Sequence, residues 1–224
     1  MNKHGSFQKI LYELIDSQKN LEKKRVVILK KSGEFAIKKM NTSDVHGFQH
    51  VLRVLQLCLE IQNEEGGNAF ILILSTLLHD VGRDYTKKNQ NHSEISVKMT
   101  QAFFSEIKCP LSHNDETHVA ECILAHSFST GAKANSIEAK ILSDADKLDA
   151  LGAIGIYRAS CFSYLYGSGL PALHQHFYDK LLLLPSKMYT RTGRKIANER
   201  IELMKTYISS LSNELSLKSP KTEE

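Results

Sequence analysis

The chain has 224 residues, 42% of them hydrophobic and 24% charged, which suits one globular domain with a sizeable core. A formal net charge of +4 is too small for the dense basic stripe that binds a nucleic acid polymer, but it suits a small anionic substrate if cationic groups converge. There is no apolar run of the ~18 residues that a membrane span needs, and the N-terminus shows no secretory signal, so we expect a cytoplasmic protein without a membrane partner. Four widely spaced cysteines without a CxxC pair are typical of free thiols.

The first 40 residues form a helical extension that we expect to pack on the core. Apolar positions at helical spacing predict a helix over residues 6–24. Residues 26–38 allow either a short hairpin around Ser32-Gly33 or an irregular segment. The main domain is then expected to span residues 41–214.

A helix over residues 45–64 is predicted to follow an N-cap at Ser43-Asp44 and to end at Gly66-Gly67. Asn68 opens the central helix of the chain, over residues 71–83, with the sequence ILILSTLLHDVGR. This helix is apolar until it reaches His79-Asp80, a pair that a core does not need.

The remaining segments are also helical in period. Helices are predicted over residues 92–107, 115–128, 136–166 (one or two helices), a short stretch to about Leu184, and about 190–214. The last helix, if exposed, offers a surface for a homodimer, and residues 215–224 form a polar, flexible tail. The fold class is therefore all-α, a compact bundle of eight or so helices.

Three places in the sequence supply metal ligands. An adjacent imidazole and carboxylate at the end of a buried helix are costly unless a charged partner satisfies both, and a divalent metal ion does so. His50 and Asp146 join His79 and Asp80 to give two imidazoles and two carboxylates, which suit Mn, Mg, Co, Ni, Fe or Zn. Such a set leaves coordination positions open for water and a substrate oxygen, as a catalytic site requires.

The order H…HD…D, in the contexts H-x-x-R-V, L-L-H-D-V-G and A-D-K-L-D-A, resembles the HD-domain metal-dependent phosphohydrolases. The run GAIGIYRA and the pattern over residues 176–200 are similar to the small bacterial YpgQ-type branch, so that the resemblance covers about residues 40–210. It implies a compact HD-domain bundle and a nucleotide pyrophosphohydrolase that prefers Mn. The substrate would be a nucleoside triphosphate, cleaved to monophosphate and pyrophosphate.

Within this resemblance, the cations nearest the phosphates are Arg53 and Lys147, to which, together with Asp80, we assign catalysis. Further candidates for substrate binding are His92, His126, Arg158, Lys180, Lys187 and Arg200. In some HD-fold enzymes extra histidines hold a second metal, so His92 and His126 are alternatively ligands of a second ion. Glu94 and Asp149 are candidates for orienting a water or a ligand imidazole from behind.

Three other readings stay open. The first is a phosphatase or phosphodiesterase that acts on a monophosphate or another phosphoester. The second is a di-iron oxygenase on the same scaffold, and the third is a nucleotide or metal sensor without turnover. We assign His46 to the helix start, and the aromatic residues Phe103, Phe104, Phe162, Tyr164 and Tyr166 to the core rather than to base stacking.

Overall fold

The computed structural model describes residues 3–127, 131–167 and 169–216. Within these ranges the chain forms helices and no strand, so the predicted all-α class is confirmed. The α-helices are α1 (Lys3–Asp16), α2 (Lys23–Lys39), α3 (Phe48–Glu65), α4 (Ala69–Leu78), α5 (His92–Glu106), α6 (His113–His126), α7 (Ile137–Leu148), α8 (Gly152–Leu165), α9 (Gly169–Asp179) and α10 (Arg191–Leu215). Short 3₁₀ helices cover Arg83–Tyr85 and Leu181–Lys187.

Helix α4 lies at the centre of the bundle. All residues from 70 to 78 are buried, and the helix packs against α2, α3, α6 and α7. A helix that is apolar on every side is stable only when other helices surround it. Its first turn is capped by the Asn68 side chain, which accepts hydrogen bonds from the backbone N–H groups of Phe70 and Ile71. The helix ends at Leu78 and not at Arg83 as predicted, and His79 and Asp80 follow it directly in a turn, so that α4 places both side chains in the interior.

Helix α3 begins at Phe48, three residues later than predicted. The segment before it is a turn, in which Gly47 N–H donates to Ser43 O at 2.9 Å and Val45 N–H donates to Ser43 Oγ at 3.2 Å. Ser43 therefore caps this turn instead of the helix. His50 consequently lies in the first turn of α3.

The hairpin or irregular segment expected over residues 26–38 is wrong, because these residues belong to α2. Ile28, Leu29, Ala36 and Ile37 recur at helical spacing on the buried side of this helix. Gly33 is not in a turn. It lies where a Cβ atom would come within 2.1 Å of the Leu11 side chain, so the missing side chain lets α1 pack closely on α2.

Residues 136–166 form two helices, α7 and α8. The break at Gly152, which has φ of +70°, is a conformation that glycine adopts without strain. The predicted short stretch to about Leu184 resolves into α9 and the following 3₁₀ helix, while α10 follows its prediction closely. Residue 128 and the tail residues 217–224 lie outside the described residues.

The four cysteines are free thiols, as expected, and Cys58 and Cys122 are buried. In the part of the chain that the structure describes, no helix combines the length and apolar character needed to cross a membrane. The homodimer through α10 stays a prediction.

Candidate metal centre

The four residues predicted as metal ligands come from three helices and meet in one place. His50 Nε2 lies 3.4 Å from His79 Nε2 and 3.3 Å from Asp146 Oδ1. Asp80 Oδ2 lies 3.8 Å from His50 Nε2 and 3.9 Å from His79 Nε2. The donor atoms therefore surround a common point, reached from α3, from the end of α4 and from α7.

The orientation of the two imidazoles fits a cation between them. His79 Nδ1 donates to the backbone carbonyl of Thr76 at 2.7 Å, and His50 Nδ1 donates to Asp149 Oδ2 at 2.6 Å. Since a neutral imidazole carries one proton, each ring then presents a lone pair at Nε2. Two lone pairs 3.4 Å apart in a buried site repel each other unless a positive charge lies between them. This donor set is suited to a divalent metal ion.

The pKa shifts of His79, Asp80 and Asp146 also suit metal binding. Burial lowers the pKa of His79 to about 4, so this ring is neutral. Burial also opposes protonation of His50, but its hydrogen bonds to Asp146 and Asp149 raise the pKa of His50, so a metal ion would bind this ring in competition with a proton. Burial opposes ionisation of Asp80 and Asp146, but their histidine neighbours, and for Asp80 also Arg83, hold the pKa of both carboxyls below the usual range. Neutral imidazoles and ionised carboxylates are the forms that bind metals.

Asp149 lies behind His50 and fixes its ring. It accepts hydrogen bonds from His50 Nδ1 at 2.6 Å, from Arg53 Nε at 2.6 Å and from Arg158 Nη1 at 2.6 Å. Burial opposes its ionisation, but His50 and Arg53 lower the pKa of Asp149 to about 2. The sequence placed Arg53 at the phosphates. In the structure its Nε and Nη2 donate to Asp149, so that Arg53 positions the carboxylate that orients His50.

His92 and His126 extend the centre on its other side. Their Nε2 atoms are 3.2 Å apart and lie 3.4 Å and 3.6 Å from Asp80 Oδ1. Asp80 therefore directs one oxygen toward each pair of histidines. Among the residues that the structure describes, two overlapping groups have donors close enough to hold a metal ion: His50, His79 and Asp146, and His79, Asp80 and His126.

Arg83 is a site residue that the sequence reasoning missed. Its Nε donates to Asp80 Oδ2 at 2.6 Å, and its Nη2 donates to Asp80 Oδ1 at 3.1 Å and to His92 Nε2 at 3.1 Å. A signal was present, because Arg83 follows Asp80 by three residues, a spacing that brings side chains together in helical turns. Its guanidinium separates the two carboxylate oxygens from solvent.

A cleft of about 260 Å³, here called the Arg158 cleft, reaches the centre at Arg83. Its cationic and aromatic lining includes His46, Arg83, Arg158, Phe162 and Lys180. His46, expected only at a helix start, accepts a hydrogen bond from Arg158 Nη2 at 3.2 Å, and burial together with Arg158 lowers its pKa to about 4.

The expected burial of the aromatic residues holds only in part. Phe103 and Phe104 are in the core, whereas Phe162 is 48% exposed and Tyr164 and Tyr166 still more so. The reason is that α8 packs against α9 and α10 but leaves its C-terminal end uncovered. Phe162 thereby offers an aromatic face at the Arg158 cleft.

A second cleft of about 540 Å³, the Lys147 cleft, is lined by His126, Lys147, Lys187 and Tyr189 among others. Lys147 Nζ donates to the Ser143 carbonyl at 3.0 Å and hydroxyl at 2.6 Å, and lies 5.0 Å from the centre of the Tyr189 ring. Burial lowers the pKa of Lys147. Lys147 is therefore a partly buried lining residue of this cleft.

Two candidates lie elsewhere. Arg200 Nη1 donates to the Leu148 carbonyl at 2.7 Å, and its aliphatic chain lies against Gly152, so it joins α10 to the α7–α8 junction rather than facing the ligands. Glu94 is exposed and lines a separate cleft with Arg83 and His92.

Comparison with known proteins identifies the class that this fold and centre define. The model of the HD domain family matches residues 47–151, which contain all four candidate ligands. The chain belongs to the HD-domain family.

Individual proteins to which the chain is similar give a narrower comparison than the family does. YpgQ of Bacillus subtilis is 32% identical over 181 residues, which are 77% of this chain and 86% of YpgQ. The crystal structure of Bacillus subtilis YpgQ in complex with ADP covers 87% of this chain and 98% of its own, with a TM-score of 0.70 and 28% identity. An HD-superfamily hydrolase from Bacillus thuringiensis covers 87% of this chain and all of its own at 28% identity and a TM-score of 0.68.

Proposed function

We propose that this protein is a divalent-metal-dependent phosphohydrolase of nucleotides, with Mn as the preferred ion. The specific reaction is hydrolysis of a nucleoside triphosphate to a monophosphate and pyrophosphate. The observation that carries the proposal is the convergence of His50, His79, Asp80 and Asp146 with imidazole lone pairs and carboxylate oxygens on one point. No core packing requires four buried or half-buried polar groups in that arrangement.

A divalent ion held by these residues supplies an activated water at neutral pH and offsets the negative charge of a phosphoryl group. Asp149 keeps His50 in the tautomer that presents Nε2, and Arg53 keeps Asp149 ionised. Arg83 and Arg158 bring positive charge to the mouth of the Arg158 cleft, where phosphate oxygens develop charge in the transition state.

A polyphosphate substrate is favoured because cations line both clefts that reach the centre. Lys180 joins the two arginines in the Arg158 cleft, and Lys147 and Lys187 line the other. The exposed Phe162 ring beside the first cleft suits a nucleobase, and the structure of a relative was solved with ADP. Four free thiols fit a reducing compartment, and we propose that the reaction takes place in the cytoplasm.

The test begins with protein stripped of metal by a chelator. Mn, Mg, Co, Ni, Zn or Fe is added singly, each sample receives a nucleoside mono-, di- or triphosphate, and the products are separated. We expect pyrophosphate from triphosphates, with Mn giving the highest rate. Asp80→Ala should raise the barrier by several kcal/mol, which is a rate loss of about 10³-fold or more.

Asp179→Ala is the matched control, since Asp179 is an exposed carboxylate on α9 and should retain the full rate. Release of inorganic phosphate from monophosphates would instead indicate that the protein is a phosphatase and not a pyrophosphohydrolase. Absence of turnover with every ion would contradict the hydrolase proposal.

A further inference from the structure

Asp144 is a buried carboxylate on α7, two residues before Asp146, and it belongs to neither of the donor groups described above. We propose that Asp144 is a positioning residue, which holds Lys147 in the wall of the Lys147 cleft by its own charge and through the ring of Tyr189. The inference rests on the proposed function in one respect, namely that Lys147 contacts the phosphates of the substrate.

The carboxylate of Asp144 holds the backbone that leads into α10. Its side chain is fully buried, and it accepts hydrogen bonds from Tyr189 N–H at 2.9 and 3.1 Å, from Thr190 N–H at 2.7 Å and from Thr190 Oγ1 at 2.8 Å. A carboxylate is costly to bury unless such hydrogen bonds compensate it. These contacts join α7 to the segment that lines the cleft just before α10.

The close packing around Gly193 fixes this segment further. A Cβ atom at residue 193 would lie 2.7 Å from Asp144 Oδ2 and 2.7 Å from Thr190 Oγ1, so there is no room for a side chain. Thr190 Oγ1 also accepts a hydrogen bond from Gly193 N–H at 2.9 Å and thereby caps α10. Asp144, Thr190 and Gly193 therefore form one packed unit, which sets the position of Tyr189.

Lys147 is oriented by contacts with this unit and with its own helix. Its Nζ donates to the carbonyl and the hydroxyl of Ser143, and it lies 5.0 Å from the centre of the Tyr189 ring and 3.9 Å from Asp144 Oδ1. An ammonium group is attracted to the face of an aromatic ring. A lysine side chain is flexible, so contacts of this kind lower the entropy that a bound phosphate would otherwise have to remove. Loss of Asp144 should therefore weaken substrate binding through Lys147.

Glu65 is a comparison residue, because it also holds the start of α10 but from α3. Its Oε1 accepts a hydrogen bond from Thr192 N–H at 2.7 Å, and it lines a separate cleft with Arg191. No contact among the described residues joins Glu65 to Lys147. A carboxylate that only anchors α10 should affect stability and leave substrate binding unchanged.

The test compares Asp144→Asn, Lys147→Gln and the double variant in steady-state hydrolysis of a nucleoside triphosphate at saturating Mn²⁺. Asparagine retains the size of aspartate but removes its charge and turns an amide NH₂ toward the backbone N–H groups. We expect each single variant to lower kcat/KM about tenfold, mostly through KM. The double variant should be no slower than Lys147→Gln alone. Effects that multiply to about a hundredfold would overturn the proposal, because Asp144 would then act independently of Lys147.

Glu65→Gln is the matched control. Urea unfolding should show lower stability for both Glu65→Gln and Asp144→Asn, whereas KM should rise only in Asp144→Asn. A wild-type KM in folded Asp144→Asn would overturn the proposal. If that variant does not fold, Tyr189→Leu removes the ring and keeps the backbone hydrogen bonds to Asp144, and a wild-type KM in Tyr189→Leu would overturn the proposal equally.

Calorimetric titration of metal-stripped protein with inorganic tripolyphosphate separates this proposal from the proposed function, because it needs no turnover. We expect the dissociation constant to rise about tenfold in Asp144→Asn and in Lys147→Gln, and to remain that of the wild type in Glu65→Gln. Absence of binding by the wild type, or equal dissociation constants in the wild type and Asp144→Asn, would overturn the inference even if triphosphates are hydrolysed. The expected rise in a protein without turnover would support the inference and contradict only the proposed function.

Discussion

His50 is oriented by a carboxylate that does not itself face the donor cluster. Asp149 accepts hydrogen bonds from His50 Nδ1 and from two arginines, Arg53 and Arg158, so these contacts fix the orientation of the His50 ring. Outer partners of this kind usually change metal affinity 10–100-fold when they are removed. We expect Asp149→Asn to weaken Mn²⁺ binding by about that factor, measured by calorimetric titration.

Asp179→Asn provides the matched comparison, since it removes an exposed carboxylate that contacts only Gln175 among the described hydrogen bonds. Its Mn²⁺ affinity should equal that of the wild type. Equal affinities in Asp149→Asn and Asp179→Asn would show that His50 does not depend on Asp149.

His46 should make stability depend on pH. Burial and Arg158 lower the pKa of His46 in the folded protein to about 4, against 6.5 in a model peptide. Between these values the unfolded chain binds more protons, so the free energy of unfolding falls on acidification from pH 6.5 toward pH 4, by up to about 1.4 kcal/mol per pH unit for one site.

His46→Asn removes this proton linkage. Urea unfolding of the two proteins at pH 7, 6 and 5 should show that the wild type loses more stability than the variant as pH falls. A difference between the two proteins that stays constant over this range would mean that folding does not lower the pKa of His46.

The sequence identified the donor cluster because its residues cannot be explained by core packing and occur in a recognisable order. It missed Arg83, His46 and the exposed face of Phe162. The three-residue spacing of Asp80 and Arg83 carried a signal for the first of these. The partner of His46 lies on α8, at Arg158, and the exposure of Phe162 depends on how the whole bundle covers the end of its helix. Such contacts have no signature in hydrophobic period. The sequence also did not show that Arg53 contacts Asp149 whereas Lys147 lines a cleft, because both positions depend on the folded arrangement of the helices.

At the scale of elements, Gly82 sets the approach of α5 to the end of α4. A Cβ atom at this residue would lie 2.4 Å from Ser96 N, 2.7 Å from Ile95 C and 2.9 Å from His92 O, all of which are backbone atoms. We expect Gly82→Ala to displace α5, and His92 with it, and to lower the free energy of unfolding by about 1–3 kcal/mol. Urea unfolding measures the loss.

Gly5→Ala tests whether that loss comes from the contact or from the residue type. Gly5 lies in α1 with no atom within 4 Å of its ideal Cβ position. Alanine there should leave stability unchanged or raise it by up to about 1 kcal/mol, because alanine favours helices. A Gly82→Ala protein as stable as the wild type would contradict the close packing of α5.

The helices themselves were largely predictable, because an apolar face repeats along most of them. Helix α2 was not, since Ser32-Gly33 reads as a turn until α1 is known to pack on Gly33. The start of α3 moved to Phe48 because Ser43 forms hydrogen bonds within a turn, a choice between two local bonds that composition does not decide.

At the scale of the whole molecule, cations from α8 and from the segment after α9 converge on the Arg158 cleft. Lys180 is the exposed one among them. If it contacts a phosphate of the substrate, Lys180→Gln should lower kcat/KM about tenfold, mostly through KM, corresponding to a loss of about 1.4 kcal/mol. Steady-state kinetics with a nucleoside triphosphate measures this.

Lys205→Gln on α10 is the control, because Lys205 is a surface lysine that forms an ion pair with Glu202, three residues before it. Its kinetics should match those of the wild type at every salt concentration. Equal KM values in Lys180→Gln and Lys205→Gln would place the polyphosphate outside the Arg158 cleft and direct attention to Lys147 and Lys187.

We expect the cluster of His50, His79, Asp80 and Asp146 to bind one catalytic ion. The most direct measurement adds Mn²⁺ stepwise to metal-stripped protein and records bound ion and pyrophosphate release from a nucleoside triphosphate in the same samples. We predict no release without the ion and a linear rise that ends at one ion per chain. Undiminished release from protein without bound metal, or binding of one ion without any release, would contradict the account.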